Sequence, residues 1–186
     1  MQINVELNEL LKAIDNTFDD EVNAIGKCII NVGAYNSEIF EKIGPKVVGS
    51  SIEDKFGTNQ PGIYIFRIKT QNPIRVPNFN EVNNAPRINK KTRKKRNDYF
   101  HDKEILYLGK SESNVSERLS EHIFGPSSDS TYALKLNDEN RNALLGNVEV
   151  FVFELKSKYQ VYTKTILSAV ESKLHDKLLP KVGSKR

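Results

Sequence analysis

Apolar residues in the first 60 positions recur at helical spacing. Leu7, Leu10, Leu11, Ile14 and Phe18 share one face at i, i+3, i+4 and i+7, and Val22, Ile25, Cys28 and Ile29 continue the stripe. Ser37 is placed to cap a short helix carrying Ile39, Phe40 and Ile43, which Gly44 and Pro45 would stop, and Ser51 with Asp54 marks another start before Gly57. The pattern predicts an amino-terminal helical lobe over residues 1–60. Past the turn-forming Asn59-Gln60-Pro61-Gly62 the period changes. Residues 62–69 are β-branched and aromatic and apolar on both faces, which predicts a central strand. Residues 104–110 and 148–155 read as two more strands. Residues 113–124 form a helical pattern with Val115, Leu119 and Ile123 inward, and residues 163–179 a longer one with Ile166, Leu167, Val170, Leu174 and Leu178 on one side, closed by Pro180.

Between the first two strands, residues 70–103 have no clear period. They contain Pro73, Pro77 and Pro86 and the basic run Lys90, Lys91, Arg93, Lys94, Lys95 and Arg96. A loop of that length inside a compact domain is uncommon and usually functional or disordered. The expectation is therefore an α+β chain: a small central antiparallel sheet of about three core strands flanked by helices. The helical lobe precedes a domain at residues 61–186, and that domain carries the basic insertion loop.

Charge sharpens this picture. The net +4 of the 186 residues hides 5 basic and 10 acidic side chains in residues 1–60, against 23 and 14 in the remainder. Residues 75–110 alone carry 10 basic and 4 acidic groups. A concentrated positive segment of this kind is the electrostatic signature of a surface that meets polyphosphate. The single cysteine, Cys28, can form no disulfide within the chain, and zinc fingers and cysteine-rich secreted scaffolds are excluded. No apolar run approaches the ~18 residues of a membrane span, and the first residues lack the basic and apolar regions of a secretory signal. A cytoplasmic protein is expected.

The candidate chemistry lies in residues that say little singly. Tyr64 and Tyr107 sit in predicted strands, where tyrosine is common. Arg118 and His122, four apart, share one flank of a helix. Glu171 falls at the edge of an apolar stripe, where a carboxylate is costly unless paired or bound to metal. In order, however, Gly62-Ile63-Tyr64, Tyr107-Leu108-Gly109, Arg118, His122 and Glu171 resemble the GIY-YIG nuclease family, over residues 61–180. The spacing of Arg118 and His122 is most similar to the family's type II restriction endonucleases. Two departures stand out: the insertion between the two tyrosine motifs is far longer than the family's, and Lys181-Val182-Gly183 follows Pro180 where the family tends to carry an asparagine.

The resemblance implies hydrolysis of a DNA phosphodiester. Tyr64 would orient or deprotonate the attacking water. An isolated phenol has a pKa near ~10, so Tyr107, His122 and Lys110 are the candidates for a network favouring its ionised form. Arg118 offers a planar fork for the scissile phosphate. Glu171 would hold one hard cation, Mg2+ with Mn2+ as a substitute, since magnesium binds through one or two carboxylates plus water and phosphate. Gly62 and Gly109 would support the site, and Lys90, Lys91, Arg93, Lys94, Lys95 and Arg96 would contact double-stranded DNA. Cutting both strands of a short site calls for two protomers, so a homodimer is expected at least on DNA. Two other readings stand beside this one: a structure-specific repair or recombination nickase, and a catalytically silent nucleic-acid-binding module that keeps the fold and the basic loop.

Overall fold

The computed structural model describes residues 40–48, 59–76, 99–125, 131–138 and 141–183. Six strands and two α-helices are ordered β1 (Phe40–Val47), β2 (Gly62–Ile68), β3 (Ile74–Arg75), β4 (Tyr99–Phe100), β5 (Ile105–Ser111), α1 (Val115–Phe124), β6 (Val148–Leu155) and α2 (Thr163–Leu178) among these residues. Short 3-10 turns, Asn142–Leu144 and Ser157–Tyr162, precede β6 and α2. The main sheet runs β1-β6-β2-β5 with every pair antiparallel. The chain is thus α+β with an antiparallel sheet, as its periodicity predicts.

β2 lies between β6 and β5, and alternation sends its side chains into two cores. Tyr64, Phe66 and Ile68 join Val148, Val150 and Val152 beneath Val115, Leu119 and Ile123 of α1. Ile63 and Ile65 join Phe151 and Phe153 beneath Ile166, Leu167, Val170 and Leu174 of α2. This double burial is why residues 62–68 read as continuously apolar. The α1 helix begins where the Asn114 side chain accepts from Glu117 N at 3.2 Å. At the other end of the domain, α2 stops at Leu179, whose φ of 47° is left-handed, just before Pro180.

The short helix expected around Ile39, Phe40 and Ile43 is not formed: residues 40–47 are strand β1. Phe40 pairs with Leu155 and is buried against Ile63 and Phe153, so pairing with β6 overrides the local helical spacing. The dipeptide read as a helix stop, Gly44-Pro45, falls at a register shift between Ile43 and Lys46, on an edge strand where proline is tolerated. Residues 1–39 and 49–58 of the expected helical lobe lie outside the described residues. So do the basic residues Lys90, Lys91, Arg93, Lys94, Lys95 and Arg96. The insertion itself is not a plain loop at its ends, because Ile74 pairs with Phe100 and Arg75 with Tyr99 in a two-stranded ladder.

Two irregularities position the site. In β5, Phe66 faces Tyr107 while Arg67 faces Ile105, so Leu106 is a bulge and both Leu106 and Tyr107 pack on the α1 side. After α2 the chain returns along β5: Lys181 N and Val182 N donate to the carbonyls of Ile105 and Leu106, each at 2.9 Å. No helix among the described residues is long and apolar enough to cross a membrane.

Candidate active site

Tyr64 of β2 points into the space under α1 and is 1% exposed. Its neighbour across the ladder is Gly109, and the reason for glycine there is steric. A Cβ at Gly109 would stand 2.6 Å from Tyr64 Oη, 2.8 Å from Tyr64 Cζ and 2.9 Å from Tyr107 Cε1. At Gly62 a Cβ would strike the carbonyl of Phe153 on the next strand. The two motif glycines are thus required by close approach rather than by a special backbone angle.

Four rings gather at this spot, with Phe66 lying 5.6 Å from His122 and 6.1 Å from Tyr64. Tyr64 and Tyr107 are stacked with centroids 6.2 Å apart, and the His122 imidazole lies 5.3 Å from the first and 4.7 Å from the second. Tyr64 Oη is 3.0 Å from His122 Nε2. The backbone N–H of Leu134 donates to His122 Nδ1 at 3.0 Å, so that nitrogen carries no proton. His122 is fully buried, and burial, with Arg118 adding to it, pushes its pKa well below the usual histidine range. The ring is therefore neutral, its one proton is on Nε2, and Nε2–H donates to Tyr64 Oη. The hydroxyl proton of Tyr64 is left to point elsewhere in the site.

Burial pushes the Tyr64 phenol well above its ordinary pKa; the Tyr107 ring and, more weakly, Glu171 push the same way, while the Arg118 cation opposes them. Tyr64 is a neutral phenol in this state. The network expected to favour its ionised form is present in part, since Arg118 and the His122 donor act in that direction, but desolvation outweighs them. Lys110 does not join it. Its Nζ reaches Ser168 Oγ at 2.6 Å and Glu112 at 2.9 Å, tying β5 to α2.

Arg118 donates to Glu121 and, at 2.5 Å, to the carbonyl of Tyr132. Burial alone would lower its pKa, yet the bound Glu121 carboxylate holds the guanidinium charged. Glu171, on α2 at 9% exposure, lies close enough for its charge to act on Tyr64. Tyr64, Tyr107, Arg118, His122 and Glu171 thus come from four separate elements into one electrostatically coupled group. Among the described residues no cluster of three or more His, Cys, Asp or Glu side chains is placed to hold a metal. A cation held by the Glu171 carboxylate, with water and substrate as further ligands, would have a donor set that suits magnesium and not zinc.

Sequence reasoning passes over three contributors. Leu134 acts through its backbone N–H, and Tyr132 through its carbonyl, so neither leaves a side-chain signal. Gly183, where the expected asparagine would fall nearby, has φ 102°, and a Cβ there would lie 3.0 Å from the Tyr107 ring. The strap after Pro180 therefore backs Tyr107 by close packing and by its two backbone bonds to β5. No protein-family profile, curated protein or solved structure matches this chain.

Proposed function

We propose that the chain is a metal-dependent endodeoxyribonuclease of the GIY-YIG type, restriction-like, cutting double-stranded DNA at a short site. The observation that carries this reading is the Tyr64–His122 hydrogen bond, set beside Tyr107 and Arg118 and within electrostatic reach of Glu171. A buried phenol with a donor on its oxygen and a cation beside it suits deprotonation or orientation of water at a phosphate.

In this account His122 Nε2–H holds the Tyr64 oxygen, so that its other hydrogen-bonding direction meets the attacking water. The phenol is neutral at rest, and accepting the water's proton requires its ionised form. Ionisation sends the Tyr64 proton to solvent; Arg118 and the His122 donor favour the phenolate against the burial that opposes it, and the charge of a divalent cation would add to them. A guanidinium has five N–H donors, so Arg118 can keep Glu121 and the Tyr132 carbonyl and still bind a phosphate oxygen. Glu171 would hold the divalent cation, which when bound supplies positive charge against the phosphate and the departing 3′ oxygen. Pairing of two protomers would serve both strands, and the basic insertion would follow the DNA backbone.

Incubating a mixed-sequence plasmid and phage DNA with the protein tests the proposal, with magnesium or EDTA, beside Glu171→Ala. Discrete magnesium-dependent fragments, absent with the variant, are expected. Nicking without discrete fragments would move the assignment to a repair nickase. Salt-sensitive binding without cleavage by either protein would leave a binding module.

A further inference from the structure

We infer that Arg141 is a positioning residue for the Tyr64–His122 pair, acting through the backbone of Leu134. Arginine is rarely sequestered from water, because its guanidinium needs partners once buried. Arg141 is nevertheless 0% exposed, and its Nη1 donates to the carbonyl of Leu134 at 2.8 Å. The same residue, Leu134, donates its N–H to His122 Nδ1. One residue is thereby clamped on both sides, by the imidazole before it and the guanidinium after it.

The surrounding backbone explains why a clamp is needed. Lys135 follows Leu134 with φ 51°, a left-handed conformation that a residue with a Cβ adopts only when its surroundings impose it. Downstream of Lys135 the segment is tied to the end of α1: Leu136 N donates to the His122 carbonyl at 3.0 Å and Asn137 N to the Ile123 carbonyl at 2.8 Å. On the other side of Lys135 the Leu134 carbonyl is held by Arg141, whose own N–H meets the Asp138 carbonyl at 2.8 Å. Held at both ends, the left-handed turn keeps the Leu134 N–H aimed at Nδ1. An apolar side chain could fill the same volume but could not hold the Leu134 carbonyl.

The consequence concerns the direction of one hydrogen bond. With Nδ1 occupied by a donor, the imidazole proton must lie on Nε2 and Tyr64 Oη must accept. If the Leu134 N–H turns away, the Nδ1–H tautomer becomes accessible, Nε2 becomes an acceptor, and the Tyr64 hydroxyl spends its proton on His122 instead of the site. Arg141 thus sets which way Tyr64 faces without touching it. The effect on cleavage rests on the endonuclease reading; the effect on the tautomer does not.

The test is the His122 tautomer, read from imidazole nitrogen shifts in histidine-labelled full-length protein, with the signal assigned from His122→Asn. Wild type should show Nε2–H alone. Arg141→Met should show a mixture of both tautomers and roughly 10- to 100-fold slower cleavage, with Arg141→Lys lying between. A wild-type ring in the Nδ1–H form would overturn the inference. So would a folded Met variant with the wild-type tautomer. If the Met variant gives no folded spectrum, the Lys variant decides: a partial shift to the mixture upholds the clamp, and an unchanged tautomer refutes it. Wild type that shows Nε2–H but cuts no DNA would sink the nuclease reading and leave the clamp standing.

Discussion

Replacing Gly109 with alanine adds one methyl group at the tightest point of the candidate site. In an ordinary strand the change would be neutral or slightly favourable, since alanine loses less backbone freedom on folding. Here the new carbon would sit 2.6 Å from Tyr64 Oη, 2.8 Å from Tyr64 Cζ and 2.9 Å from Tyr107 Cε1. All three distances are well inside the ~3.5 Å at which such atoms attract, so both rings must move. Neither has an easy retreat: Tyr64 is held by His122 at 3.0 Å, and Tyr107 is backed by Gly183. Overpacking of this kind costs about 1–3 kcal/mol. For a domain of this size that corresponds to a fall in Tm of roughly 2–12 °C. Thermal denaturation followed by circular dichroism reads it directly. The tyrosine absorbance difference spectrum should shift as the ring environment changes. A variant melting at or above the wild-type temperature would refute the claim that glycine is present to admit the two rings.

Two further outcomes follow from the same geometry. Folding holds the His122 pKa well below its ordinary value, so below about pH 6.5 the unfolded chain binds a proton that the folded chain refuses, and stability falls as pH falls. Wild type should therefore lose more stability than His122→Asn as pH falls from 6.5 to 5, by at most ~1.4 kcal/mol per pH unit for the one proton; equal losses in urea titrations would contradict a neutral buried imidazole. Gly62→Ala should destabilise more than Gly109→Ala, because its Cβ meets the Phe153 backbone carbonyl rather than a movable ring, and a smaller shift in urea midpoint would argue against that packing.

Much of the fold is legible in the sequence because β2, β5, β6 and both helices bury whole faces, and burial imposes a period. The strand β1 is not legible, since Phe40 and Ile43 also satisfy helical spacing and Gly44-Pro45 reads equally as a helix stop or a bulge. Only the pairing of Phe40 with Leu155, far along the chain, separates the two. The two-residue strands β3 and β4 are too short for any period to register. At the site, Tyr64, Tyr107, Arg118, His122 and Glu171 are visible as residue types in order. The state of Tyr64 is not, because it depends on desolvation and on the Nε2–H tautomer set by a backbone donor. Lys110 could have faced either side of β5, and the register places its ammonium with Ser168. Leu134 and Arg141 act across turns that carry no sequence signature.

The proposed nuclease activity requires the Tyr64 oxygen to take part in phosphodiester hydrolysis. Tyr64→Phe removes that oxygen and leaves the ring, and single-turnover cleavage of a plasmid carrying the preferred site, with magnesium, compares it with wild type. A rate at least about 100-fold lower is expected in a variant that still melts cooperatively and still binds DNA. Cleavage by Tyr64→Phe at the wild-type rate would contradict it.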